Sequence, residues 1–404
     1  MEFSQRTVDA LMEVTVRPPL VMVRGAGSWI EDHQGKRYLD FVQGWAVNTL
    51  GHCPPEITAA LAAQSTQLVN PSPAFYNQPA IDLARRITEA SGLGRVFFAN
   101  SGAEANEGAI KLARKWGRVH RQGAHRIITF DNAFHGRTLA TMSASGKPGW
   151  DTMFAPQVMG FPKARFNDLA SVRELVDESV TAILVEPVQG ESGVIPATRD
   201  FLRGLRALAH EHGLLLMFDE VQTGMGRCGE PFAFQHYGVR PDIMTLAKGI
   251  GGGLPLAALV ASESASLFSP GEQGGTFGGN ALTTAVGMAI FDAITATGFM
   301  ASVRERATQL SAGLANLSAR HHLAGERGVG LLRALVLDRD VAPQVVEAAR
   351  DLQPDGLLLN APRANVLRFM PALNVTAAEI DRMLEQLDGV LRQAPRQPRV
   401  HGAA

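Results

Sequence analysis

LLLMFDEVQTGMGRCG (Leu214–Gly229) and IMTLAKGIGGGLP (Ile243–Pro255) decide how this sequence reads. Leu214–Phe218 is an unbroken apolar run of strand length, and Asp219 falls where it ends. Ile243–Ala247 is a second such run, and Lys248 follows it directly. Strands apolar on both faces belong to sheets covered on both sides, as in α/β folds. Two of them deliver a carboxylate and an amine to one carboxyl edge, where open α/β sheets bind ligands. An acid for a pyridinium nitrogen and a lysine to condense with an aldehyde are the pair that pyridoxal phosphate requires. Taken singly, each residue reads more simply as a surface acid or a solvated lysine; the joint placement reverses that order.

Working outward, apolar or β-branched runs alternate with helical patterns from about residue 55 to 300. The expected strands are Val96–Ala99, Ile127–Phe130, Ala182–Glu186, Leu214–Asp219, Ile243–Ala247 and Leu256–Ala261, with helices at 103–122 and 200–212 among those between them. This alternation predicts a mostly parallel sheet with helices on both faces. Residues 28–42 read as two short strands joined by a turn at Gly35, and after about residue 300 the texture changes to that of a smaller α+β lobe. The expected division is an N-terminal segment, 1–50, that joins the small domain; a large domain, 51–300; and a C-terminal small domain, 301–404. The tail QAPRQPRVHGAA (Gln393–Ala404) is expected to be disordered.

Composition narrows the function. A chain of 404 residues with 46% hydrophobic and 19% charged content can bury a large core. Its formal net charge is −1 and it has no basic block, which argues against a nucleic-acid partner. Cys53 and Cys228, the two cysteines, have no metal-ligand spacing and cannot form a disulfide framework. MEFSQRTVDALMEV (Met1–Val14) lacks the apolar core of a secretory signal, and no stretch approaches a membrane span. The expectation is a cytoplasmic protein without membrane contact.

Further segments carry candidate chemistry. NSGAEANE (Asn100–Glu107) follows a strand and opens a helix; small Ser101, Gly102 and Ala103 leave N–H groups free to approach a phosphate. It reads equally as a Ser-capped helix. FHGRT (Phe134–Thr138) offers an aromatic to stack on a ring and an arginine for a carboxylate, or a core Phe beside a surface Arg. EPVQGESG (Glu186–Gly193) places two acids at a strand end, as an acid/base pair or as arginine partners. GGTFGGN (Gly274–Asn280) combines glycines with the Thr276 hydroxyl, and RFMPALN (Arg368–Asn374) puts one arginine in a short strand. P-loop order, HExxH and a GxSxG elbow are all missing. The eleven histidines read as structural or solvated.

In this order, GKRYLDF, NSGAEANE, FHGRT, VEPVQGESG, FDEVQTGMGR, AKGIGGGLP, TFGGN and RFMPALN make the chain resemble the class III aminotransferases from about Gly25 to Leu391. The likeness is greatest to members acting on N-acetylornithine in arginine biosynthesis. The resemblance implies a fold type I transferase that uses pyridoxal 5'-phosphate and works as a homodimer with shared active sites. Its implied reaction moves the terminal amino group of N2-acetylornithine to 2-oxoglutarate, giving N-acetylglutamate semialdehyde and glutamate. N-succinylornithine, N-succinyl-diaminopimelate, ornithine and 4-aminobutyrate are other donors in the family, and aminomutases or racemases share the fold.

Residue by residue, the resemblance implies that Lys248 binds the cofactor covalently and shuttles the proton, while Asp219 keeps the pyridine nitrogen protonated. Gln222 would approach the ring hydroxyl, and Phe134 and Val221 would cover the two ring faces. Gly102 and Ala103, with Ser101 nearby, would bind the phosphate, and Thr276 would reach it from the neighbouring subunit. Arg368 would clamp the α-carboxylate of 2-oxoglutarate or glutamate, and Arg137 the other substrate carboxylate. Glu191 would pair with Arg368 when the amine donor is bound. Trp45 stands where ornithine-specific members carry a tyrosine, which points away from unmodified ornithine. Pro73–Ala74 and Ser192 are further departures that border the expected pocket.

Overall fold

Val180–Val185, Leu215–Asp219, Ile243–Leu246 and Ala257–Ala261 are buried along their whole length, as strands covered on both faces must be. They belong to a seven-stranded sheet in the computed structural model of this chain, which describes residues 10–393. The strand order is Arg95–Ala99, Ala257–Ala261, Ile243–Leu246, Leu215–Asp219, Val180–Val185, Arg126–Phe130, Lys163–Ala164. Leu215–Asp219 runs parallel to both neighbours, so Asp219 sits at the centre of the carboxyl edge.

One strand is reversed: Ala257–Ala261 runs antiparallel to both its neighbours. The glycine-rich connection after Lys248 is too short for a parallel crossover, which needs about a dozen residues or more. The chain therefore turns back at the carboxyl edge and leaves Lys248 there. Observed strand ends lie within two residues of those read from the sequence.

Helices cover the sheet through apolar faces at helical spacing. Gly102–His120 buries Ala105, Ala109, Leu112 and Ala113, and Arg199–Glu211 buries Phe201, Leu202, Leu205 and Leu208. Thr198 caps the second of these by accepting the Phe201 N–H, which is worth about 1 kcal/mol. Truncating a central strand residue such as the fully buried Leu216 to alanine costs about 2–5 kcal/mol.

After residue 300 the chain forms a four-stranded sheet ordered Gly325–Val329, Leu332–Val336, Val366–Phe369, Asn360–Arg363, with helices Phe299–His321, Ala342–Asp351 and Ala377–Gln393. The N-terminal strands Met22–Ala26, Trp29–Asp32 and Arg37–Asp40 form another sheet, and Gly356–Leu358 joins it parallel to Arg37–Asp40. Beyond that ladder, the Thr49 hydroxyl donates to the Gly249 carbonyl at 2.8 Å, and the Leu373 N–H donates to the Thr49 carbonyl at 2.8 Å. The Thr49 segment thus reaches the loop that carries Lys248, and the Leu373 segment is tied to it through Thr49. Residues 1–9, and the tail beyond Gln393 expected to be disordered, lie outside the described residues. No single helix among the described residues is long and apolar enough to cross a membrane.

Candidate active site

A cavity of about 520 Å³ opens at the carboxyl edge of the seven-stranded sheet. Its walls come from the loops that leave the central strands, so Gly102, Phe134, Glu186, Asp219 and Lys248 all face one space.

Asp219 is 4% exposed and accepts three N–H groups. The Val221 main chain donates to Oδ1 at 3.0 Å, while Asn106 Nδ2 and His135 Nδ1 each approach Oδ2 at 2.8 Å. The Val221 and Asn106 groups are donors, and His135 joins them when Nδ1 carries the ring proton. Beside it Glu186 is also buried, and its Oε1 accepts the Phe134 N–H at 2.9 Å. Burial, and then the charge of Asp219, push the Glu186 carboxyl up to about 8. Glu186 is thereby kept neutral at neutral pH.

Lys248 opens a short helical turn directly after its strand. Its φ of 45° lies in the left-handed region, a conformation costing about 1–3 kcal/mol for a side-chain-bearing residue and persisting where the surroundings enforce it. Burial pushes the amine pKa down, against the opposing charge of Glu191, and Arg368 pushes it down further. Such an amine gives up its proton more readily than a solvated lysine.

The helix Gly102–His120 points its N-terminus into the cavity. Ser101 caps it: its hydroxyl accepts the Glu104 N–H at 3.2 Å, and the Glu104 carboxylate accepts the Asn100 and Ser101 N–H groups at 2.6 and 3.0 Å. The cap reading of this segment therefore holds alongside the ligand reading. The cap leaves the Gly102 and Ala103 N–H groups, which have no partner within a helix, for an anion. A Cβ on Gly102 would stand 2.9 Å from a methyl of Val221, so a side chain there would displace the residue opposite.

Arg368 reaches the same region from the C-terminal sheet. It is 1% exposed; its Nε donates to Asn360 Oδ1 at 2.9 Å and its Nη1 to Glu191 Oε1 at 2.7 Å and Gln222 Oε1 at 3.3 Å. Burial pushes the Glu191 carboxyl up, but the charge and hydrogen bond of Arg368 outweigh it and hold the group below its ordinary value. The loop carrying Glu191 packs closely: a Cβ on Gly190 would fall 1.7 Å from Gln222 Oε1.

The remaining sequence candidates are spread more widely. Phe134, Val221, Gln222 and Arg137 line the cavity, and Arg137 is exposed, its guanidinium 5.7 Å from the Trp150 ring. Trp45 is 51% exposed with φ 62° and does not line the cavity, although Val47 of the same segment does. Thr276 is exposed on a separate loop, where its carbonyl accepts from Asn70 Nδ2 at 3.3 Å. That loop borders a second cavity, of about 430 Å³, together with Phe75 and Tyr76. Sequence reading missed Asn106 and His135, which hold Asp219. The signal for Asn106 was a polar residue on the apolar stripe of its helix; His135 was one of eleven histidines read as structural or solvated.

These residues fit pyridoxal phosphate. A buried amine, a buried acid with donors on every side but the cavity, an aromatic wall and a helix N-terminus free to bind an anion all face one space of suitable size.

Comparison with known proteins agrees. The family model described as aminotransferase class-III matches residues 11–391. The chain is 71% identical to acetylornithine aminotransferase 2 of Bordetella bronchiseptica, over 97% of this chain and 99% of the relative. It is 59% identical to the acetylornithine aminotransferase of Ralstonia nicotianae, again over 97% and 99%. Among solved structures, N-acetylornithine aminotransferase from Stenotrophomonas maltophilia superposes with a TM-score of 0.82 at 34% identity, covering 96% of this chain and 98% of that one. Ornithine aminotransferase from Toxoplasma gondii gives 0.90 at 30% identity, covering 96% and 94%. With its sheet edge, its lysine and acid, and these relatives together, the chain belongs to the class III aminotransferases, enzymes that depend on pyridoxal phosphate.

Proposed function

We propose that this aminotransferase moves the terminal amino group of N2-acetylornithine to 2-oxoglutarate, giving N-acetylglutamate semialdehyde and glutamate, in the cytoplasm. The observation that carries the two-substrate reading is the Arg368–Glu191 pair, 2.7 Å apart, with Arg368 buried and Glu191 lining the cavity. The names of the relatives support the choice of donor.

Pyridoxal phosphate, when bound, supplies an aldehyde to take up the amino group and a ring that withdraws electrons from the neighbouring carbon. Lys248 would hold the cofactor and is the base available to take the proton from the amine-bearing carbon and to give it back; its lowered basicity suits both transfers. Asp219 would keep the ring nitrogen protonated, and Gln222 would serve the ring hydroxyl. Phe134 and Val221 would cover the ring. The Gly102 and Ala103 N–H groups, with Ser101 beside them, would hold the phosphate.

Arg368 binds the α-carboxylate of the oxo acid, and Arg137 binds the other substrate carboxylate, the distal one of the oxo acid or the single one of N-acetylornithine. When the amine donor occupies the site, Glu191 neutralises Arg368 and removes its attraction for the donor's carboxylate. Arg368 is anchored by Asn360 whereas Glu191 keeps 28% side-chain exposure, so Glu191 is the partner that moves. One site thereby accepts a dicarboxylate in one half-reaction and an amine terminus in the other, with ping-pong kinetics.

The working unit is a homodimer in which Thr276 of each chain completes the phosphate site of the other. Supporting this, Phe75 and Tyr76, which line the second cavity, are 71% and 93% exposed, and Phe277 beside Thr276 is 63% exposed, large apolar side chains left open to a partner. A large domain at 51–300 carries the cofactor, with a small domain at 301–404 joined by the N-terminal segment 1–50.

Mixing the purified holoenzyme with single donors tests the donor. N-acetylornithine is expected to convert the visible band of the pyridoxal form to that of pyridoxamine. A band unchanged by N-acetylornithine but bleached by N-succinylornithine, ornithine or 4-aminobutyrate overturns the choice of donor.

A further inference from the structure

Asp219 is held from behind by a chain of side chains. Thr245 is its neighbour in the parallel ladder, and the Thr245 hydroxyl donates to Asn106 Oδ1 at 2.8 Å. Asn106 Nδ2 donates to the main-chain carbonyl of His135 and to Asp219 Oδ2, each at 2.8 Å. A main-chain carbonyl can only accept, so the part of the amide facing His135 is the NH2 group and the oxygen faces Thr245. With that orientation fixed, the second Nδ2 hydrogen points to Asp219. Thr245 and Asn106 are each 1% exposed, so water does not compete for these bonds. Along this chain the Thr245 hydroxyl and both ends of the Asn106 amide are paired, which specifies one arrangement; with a single donor removed it is no longer specified.

We propose that Thr245 and Asn106 are positioning residues for Asp219: the hydroxyl locks the amide, and the amide fixes the carboxylate that faces the cofactor ring. This rests on the role assigned to Asp219 above. Because both act through Asp219, their loss slows both half-reactions by the same factor, whereas a change at the Arg368–Glu191 pair separates them. Thr245→Val preserves shape but leaves Asn106 Oδ1 without its donor. The His135 carbonyl and Asp219 still hold the NH2 end of the amide, but its oxygen end loses the bond that pins it, so the amide and the carboxylate it holds are less firmly placed. Thr245→Ser keeps the hydroxyl.

The test compares wild type, Thr245→Val, Thr245→Ser and Asp219→Ala as purified holoenzymes. Single-turnover rates of each half-reaction are measured per bound cofactor, with the pH midpoint of the visible band, cofactor retention on dialysis and apo-protein melting. Thr245→Val is expected to slow both halves about tenfold, to move the band midpoint and to retain cofactor less well, with Thr245→Ser within about twofold of wild type. Wild-type rates and midpoint in Thr245→Val, with Asp219→Ala inactive, overturn the positioning role and leave Asp219 its own. Wild-type rates in Asp219→Ala overturn the Asp219 assignment itself. Equal impairment of the Val and Ser variants, confined to apo-protein melting, makes Thr245 a packing residue and also overturns the proposal.

Discussion

Asp219, on the floor of the cavity, accepts three N–H groups and is 4% exposed, while Arg137, at its mouth, is exposed on a loop and rests against the Trp150 ring. Lys248 and Asp219 leave strands buried on both faces, so their positions follow from the core of the large sheet. Arg137 and Trp45 leave turns whose positions the core does not dictate. The groups proposed to serve both half-reactions are therefore built on the rigid sheet, whereas of the groups proposed to choose the substrate Arg137 and Trp45 stand on loops and Arg368 alone on a buried strand.

The largest effect that separates these regions is expected at Lys248. Lys248→Ala should slow both half-reactions alike, by about 10²–10⁴-fold for the lost proton transfer alone, and should displace the visible band of the bound cofactor. Retention of either half-reaction at wild-type rate breaks the assignment of the floor.

Arg137→Ala should raise KM for both 2-oxoglutarate and N-acetylornithine about tenfold to a hundredfold, as expected for losing a charge-assisted hydrogen bond, with kcat little changed. A diamine without a carboxylate should react equally well with wild type and variant. An equal loss for the diamine would mean that Arg137 shapes the floor rather than the mouth.

A smaller effect concerns stability. The Glu186 carboxyl rises from 4.5 to about 8 on folding, so the folded chain binds this proton more tightly than the unfolded one. Its stabilising contribution is full below pH 4.5 and is lost as pH rises through about 8. Glu186→Gln, which cannot ionise, should lack this loss. The apo-protein melting difference between wild type and variant should therefore shift in favour of the variant with rising pH, and a pH-independent difference would contradict the raised pKa.

Legibility in the sequence divides along the same line as the cavity. Leu215–Asp219 and Ile243–Leu246 could be read because burial on both faces writes itself as an unbroken apolar run, and the acid and lysine stand where those runs stop. The direction of Ala257–Ala261 was not readable from its apolar residues, which are the same whichever way a strand runs; the short glycine loop before it decides the matter. Asn106 and His135 were missed because a polar residue on a buried face looks the same whether it holds an active-site acid or an ordinary core carbonyl. Their partner is distant in sequence and adjacent only in the fold. Trp45 was read through its counterpart in related enzymes, yet its backbone turn places the ring half in solvent, a conformation that no residue pattern announces.

The comparison between floor and mouth is tested most directly by timing each half-reaction separately in Arg368→Ala. The predicted result is a fall of about a hundredfold for pyridoxamine enzyme with 2-oxoglutarate, from losing a charged clamp, with N-acetylornithine still converting the pyridoxal form within about threefold of wild type. Equal slowing of the two half-reactions would contradict it, because Arg368 would then belong to the common chemistry and not to the choice of substrate.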